Sequence, residues 1–175
     1  MKPIAEMNLP ELAAYIQSHL HRAGIQVVLS GGSAVSFYSG NQYVSNDVDL
    51  IDNGLVSRGE IKKVMTAMGF RSDGRYYRHP ETQILVEFPV GPLSVGEQLV
   101  KGFEKFELET GVLYVMSATD CVKDRLCAYY YWGDRQGLAQ AIMVARQQQV
   151  DLAAIRQWSL SEGHLDKFEE FARRL

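Results

Sequence analysis

Apolar positions along the chain alternate between two periods, and the alternation predicts the elements. Asn8 followed by Leu9, Pro10 and Glu11 reads as a helix start, with a capping side chain, an early proline and an acid at the third position. Leu12, Ile16 and Leu20 then share one face of a helix that runs to about His21 and ends at Gly24. Ile25 to Leu29 is a short apolar run, expected as a buried strand. Ser30-Gly31-Gly32-Ser33 follows, and Ala34 to Tyr38 is expected as a short helix stopped by Gly40. Asp47 to Ile51 alternates acid with apolar, which fits a strand with one polar face.

Ser57 with Glu60 forms a second capping box, opening a helix through about Met68. Asp73-Gly74 sits between short alternating runs and predicts a hairpin over Phe70 to Arg78. Gln83 to Phe88 is expected as a strand ended by Pro89, Gly91 to Phe106 as loop with some helical character, and Val112 to Val115 as a last strand. After Ser117 and Asp120 the period is helical to the end: about Thr119–Trp132, Arg135–Gln148, Leu152–Gln157 and Ser161–Arg173. The pattern therefore divides the chain into an α/β core over 1–116 and a helical lobe over 117–175 packed on it.

Composition narrows the class. A chain of 175 residues with 46% apolar and 22% charged side chains can bury a substantial core. Eighteen basic against 21 acidic residues give a net charge of -3, which argues against tight non-specific grip on nucleic acid. No apolar stretch is long enough to span a membrane. Glu6 and Glu11 interrupt the N-terminal segment where a signal peptide needs apolar residues, so a cytoplasmic protein is expected. Cys121 and Cys127 fall on roughly opposite sides of one helix and are expected as free thiols. No Cys/His cluster has zinc spacing.

Three features carry chemistry. A strand running into Gly31-Gly32-Ser33 and a helix allows close backbone approach, and presents free N–H groups and positive dipole to a phosphate, with the Ser33 hydroxyl as an added donor. The turn lacks GK[ST] and GxGxxG, so neither a P-loop nor a dinucleotide site is indicated. Asp47 and Asp49 stand side by side on one strand face, and such a pair is best tolerated around a divalent cation. Glu87 is a lone acid inside Ile84-Leu85-Val86-Glu87-Phe88, costly in a buried strand unless paired or metal-bound. Taken singly, each feature also fits an ordinary turn or a solvated strand edge.

Together, Gly32-Ser33, Asp47 with Asp49, and Glu87 resemble the signature of the nucleotidyltransferase superfamily over residues 25–90, most closely its small bacterial, toxin–antitoxin-like members. The resemblance implies a mixed β-sheet with flanking helices and a C-terminal helical lobe. It also implies Mg²⁺ on Asp47 and Asp49, with Glu87 completing a second metal site or acting as base, and a nucleoside triphosphate on Gly31, Gly32 and Ser33. The implied activity moves a nucleoside monophosphate to an acceptor hydroxyl, in an RNA end, a protein or a small molecule, with release of pyrophosphate. A toxin–antitoxin or phage-defence setting with a cognate partner protein is implied as well. Lys123, and later Asp134, match loosely a Lys and an Asp that such members direct at the site from their later helices.

Tyr43 stands where those members often carry Arg before the first acid, which motivates an alternative: a catalytically reduced binding or regulatory module. A nucleotide-sugar glycosyltransferase using the DxD would leave the Gly-Gly-Ser turn unexplained. Tyr129, Tyr130, Tyr131 and Trp132 read as packing rather than as a stacking platform, and Arg146-Gln147-Gln148-Gln149 as a solvated helix end.

Overall fold

The computed structural model describes residues 2–52 and 56–175. A short 3₁₀ turn, Ile4–Glu6, precedes helix α1 (Leu9–Arg22). The capping box forms in full: the Glu11 N–H donates to Asn8 Oδ1 at 3.0 Å and the Asn8 N–H donates to Glu11 Oε2 at 2.9 Å. Strand β1 (Val27–Leu29) leads into α2 (Gly31–Tyr38), β2 (Asp47–Asp52) and α3 (Arg58–Ala67), the last with its own capping box at Ser57 and Glu60. The β3 (Arg71–Asp73) and β4 (Tyr76–Arg78) hairpin turns at Gly74, followed by β5 (Leu85–Glu87).

The segment 91–106 departs from expectation. It contains no helix but a small hairpin, β6 (Ser94–Val95) and β7 (Gln98–Leu99), and the start of β8 (Phe103–Leu108). The run Phe103-Glu104-Lys105-Phe106-Glu107-Leu108 has no clean period in sequence; pairing along its whole length with β9 (Gly111–Met116) makes it sheet, with Phe106 and Leu108 half-buried and Lys105 and Glu107 exposed. The helical remainder is α4 (Ala118–Trp132), α5 (Arg135–Gln147), α6 (Leu152–Ser161) and α7 (Leu165–Ala172). Here α6 runs past Gln157, and α7 begins later than Ser161, after Gly163 at a φ of +77°. No helix among the described residues is long and apolar enough to cross a membrane.

The main sheet has the order β3-β4-β5-β2-β1-β9-β8. β2 with β5 and β1 with β9 are parallel, and the other pairs are antiparallel, so the sheet is mixed. α1 lays Leu12, Ala13, Ile16 and Leu20 against β9 and β1. Gln17 anchors it, donating to the Tyr114 carbonyl at 3.0 Å and accepting the Tyr114 N–H at 2.6 Å. α4 and α5 pack on α2, so one continuous cluster of buried apolar residues runs from Met7 to Phe171. The Tyr38 hydroxyl donates to the Met116 carbonyl at 2.9 Å, and Gln148 donates to the Tyr38 carbonyl at 2.8 Å, tying α2 to the sheet and to α5.

Candidate active site

β2 alternates strictly, with Val48, Leu50 and Asp52 buried and Asp47, Asp49 and Ile51 half-buried. Asp47 and Asp49 therefore share the open face. In the parallel register with β5, Asp49 lies beside Glu87, which brings the third acid to the same face. Each of the three offers a carboxylate oxygen, and these oxygens lie within 4.8 Å of one another. The Ser45 hydroxyl donates to Asp47 Oδ1 at 2.8 Å.

The two neighbouring carboxylates and burial act on the charge of Asp49. Burial, with Asp47 and Glu87 beside it, pushes the Asp49 carboxyl up to about 7, while the Arg125 guanidinium works in the opposite direction. The arrangement suits a hard divalent cation, which takes oxygen ligands and removes the repulsion at once.

Helix α2 begins at Gly31, three residues ahead of the expected start, so the Gly-Gly-Ser segment is the helix's first turn rather than a loop before it. Gly31 has a φ of +56°, and a Cβ there would stand 2.6 Å from Asp49 Oδ2. The carboxylate thus rests directly against the helix start, a closeness only glycine permits. Ser30 does not cap the helix with its side chain, so the first-turn N–H groups stay unpaired within it.

Ser33 does not present its hydroxyl to solvent. It is fully buried, donates to the Ser30 carbonyl at 2.7 Å and accepts the Asp49 N–H at 3.1 Å, so the hydroxyl expected to meet a phosphate faces the backbone of β2 here. The N–H groups of Gly31 and Gly32 remain as the donors that this turn leaves open. Tyr43 lies across the same turn, with its hydroxyl 3.3 Å from where a Cβ of residue 32 would be.

Lys123 also turns elsewhere. It is buried, 3.5 Å from Asp120 Oδ1 and 3.5 Å from Gln98 Oε1, beside Trp158 in a cleft between the β6–β7 hairpin and α6. Two residues on, a helix has rotated by more than half a turn, and it is Arg125, ion-paired with Asp124, whose charge reaches Asp49. Asp134 caps α5, accepting from the Gln136 N–H at 2.9 Å. Sequence reasoning missed Arg125, and it missed Arg75 at the hairpin turn, whose Nε lies 3.6 Å from Glu87 Oε2. The signal for Arg75 was present: Asp73-Gly74 fixes the hairpin, and the register places Tyr76 opposite Glu87.

Tyr129 and Tyr130 are buried, with Tyr130 stacked on Trp158 at 5.6 Å, whereas Tyr131 and Trp132 are exposed. Both cysteines are free; burial pushes the Cys121 thiol up, and the Cys127 thiol to about 11, leaving neither nucleophilic.

No family model matches the sequence, and no curated protein matches it. Solved structures do share the fold. An antigenic nucleotidyltransferase-like protein from Paracoccidioides brasiliensis superposes with a TM-score of 0.59 at 17% identity, covering 83% of this chain and 78% of that one. The antibiotic-resistance factor ANT(2'')-Ia in solution gives 0.51 at 13% identity over 94% and 90% of the two chains. A crystal structure of ANT(2'')-Ia with adenylyl-2''-tobramycin gives 0.50 at 13% identity over 91% and 94%. The likeness is one of fold.

Proposed function

We propose that this chain, which has the nucleotidyltransferase fold, transfers a nucleoside monophosphate from a Mg²⁺-bound nucleoside triphosphate to an acceptor hydroxyl. The observation that carries the reading is the convergence of Asp47, Asp49 and Glu87 within 4.8 Å at the open start of α2. The acceptor oxygen forms a bond to the α-phosphorus, the bond to the bridging oxygen breaks, and pyrophosphate leaves.

Asp47 and Asp49 would hold Mg²⁺, and Glu87 would join them; the cation supplies charge neutralisation at the phosphoryl oxygens and the leaving group. The N–H groups of Gly31 and Gly32, left open in the first turn of α2, would meet the phosphate oxygens. Glu87, one oxygen of which faces Arg75, can receive the proton of the acceptor hydroxyl. Ser45 and the Ser33 hydroxyl hold the two aspartates in place, so that alignment rather than covalent participation does the catalytic work.

The test is transfer of label from each α-³²P nucleoside triphosphate, with Mg²⁺, onto a panel of RNA ends, proteins and aminoglycosides. Labelling that vanishes in Asp47→Asn and Asp49→Asn supports the reading, and labelling that survives either change contradicts it. A second reading, binding without transfer, rests on Tyr43 lying across the turn where phosphate would dock. Mg²⁺–nucleotide binding with no acceptor labelled would favour it.

A further inference from the structure

The sheet face that carries the three acids continues past β5 onto the β3–β4 hairpin. Asp47 is level with Leu85, Arg78 follows the Tyr77–Val86 pair and so falls beside Leu85, and Arg71 pairs directly with Arg78. One row of side chains therefore runs Asp47, Leu85, Arg78, Arg71 across four strands. At ~4.8 Å between strands, the backbone at Arg78 lies ~10 Å from Asp47 and that at Arg71 ~14 Å away. Arg71, Asp73, Arg78, His79, Thr82 and Leu85 help line a cavity of about 560 Å³ at the Leu85–Arg78–Arg71 end of this row.

Two arginines directly opposite each other on one face repel and destabilise the pairing. Asp73 offsets only one of them: Arg78 Nε donates to its Oδ2 at 2.5 Å, and Arg71 has no ion pair among the described residues. In a chain with a net charge of -3, residues 70–79 carry three arginines against one aspartate. Guarding the exposed edge of the sheet against other strands needs one charge on β3, not a second one facing it.

We propose that this cavity binds a phosphate group of the acceptor substrate, which is therefore a phosphate-bearing molecule. Its hydroxyl reaches the acidic triad while its phosphate lies between Arg71 and Arg78. The proposal rests on the transfer reading above, and it restricts the acceptor class within it.

Binding separates the two claims. Two probes are titrated into wild type, Arg71→Gln and Arg71→Lys: a labelled single-stranded oligoribonucleotide, and glucose 6-phosphate with glucose as its uncharged control. The expected result is that at least one phosphate probe binds the wild type, that Arg71→Gln weakens it at least ~5-fold and Arg71→Lys recovers most of the loss, and that glucose does not bind. Which probe binds identifies the acceptor as polynucleotide or small molecule. Mg²⁺–ATP affinity is expected to stay the same in Arg71→Gln, and its melting temperature to stay level or rise as the repulsion is removed. Failure of both probes on the wild type, or equal affinity in Arg71→Gln, overturns the phosphate site. Failure of Mg²⁺–nucleotide to bind in the same preparation counts against the transfer reading alone.

Discussion

Ser33 accepts the backbone N–H of Asp49 at 3.1 Å, through a hydroxyl that itself donates to the Ser30 carbonyl. That single buried oxygen links the start of α2 to the acid strand at the residue whose carboxylate rests on Gly31. Ser33→Ala leaves the Asp49 N–H without its partner, and urea unfolding is expected to show a loss of about 1–3 kcal/mol. Mg²⁺ affinity should fall in the same variant, because the strand is no longer fixed to the helix.

Gly31→Ala places a methyl group 2.6 Å from Asp49 Oδ2, in a backbone conformation unsuited to alanine. The carboxylate must move, so Mg²⁺ affinity measured by calorimetry should fall at least ~10-fold on the scale of one displaced ligand. Gly24→Ala is the control. It has a similarly positive φ of +78° with nothing within 4 Å, so it should lower stability by about 1 kcal/mol and leave Mg²⁺ affinity unchanged.

Asp49 makes the metal-free site pH-dependent. Its carboxyl is raised to about 7 in the folded chain against ~3.9 when unfolded, so the folded state holds a proton that the unfolded state releases first. Thermal melts without metal should therefore show wild type losing stability relative to Asp49→Asn as pH rises from about 4 to about 7, with the difference levelling above that. Mg²⁺ binding must displace that proton, so its affinity should climb through the same window.

Arg125 opposes the rise at Asp49, whereas Lys123 is turned to Asp120 and Gln98. Arg125→Gln should move the pH midpoint of Mg²⁺ binding upward. Lys123→Gln should leave that midpoint in place while loosening the contacts to Asp120 and Gln98.

Much of this was legible in the sequence because the informative rules are local. Capping at Asn8 and Ser57 located two helices, and the period-two run at Asp47 put both acids on one face. Glu87 was readable for a different reason: a charge in an apolar strand demands a partner. What escaped depended on contacts distant in sequence. The strand character of Phe103–Leu108 is realised by pairing with β9, and the Ser33 hydroxyl turned inward because a buried N–H from β2 needed an acceptor. Lys123 and Arg125 differ by two positions, and only the packing of α4 against α2 decides which faces Asp49.

On the proposed reading, Asp47, Asp49 and Glu87 form one cation site that also holds the nucleotide. Titration with Mn²⁺, followed by electron paramagnetic resonance with and without a nucleoside triphosphate, tests it most directly. Bound Mn²⁺ is expected in the wild type, with tighter binding when nucleotide is present and loss of both in Asp49→Asn. Mn²⁺ held equally by Asp49→Asn, or no binding by the wild type even with nucleotide, would contradict it.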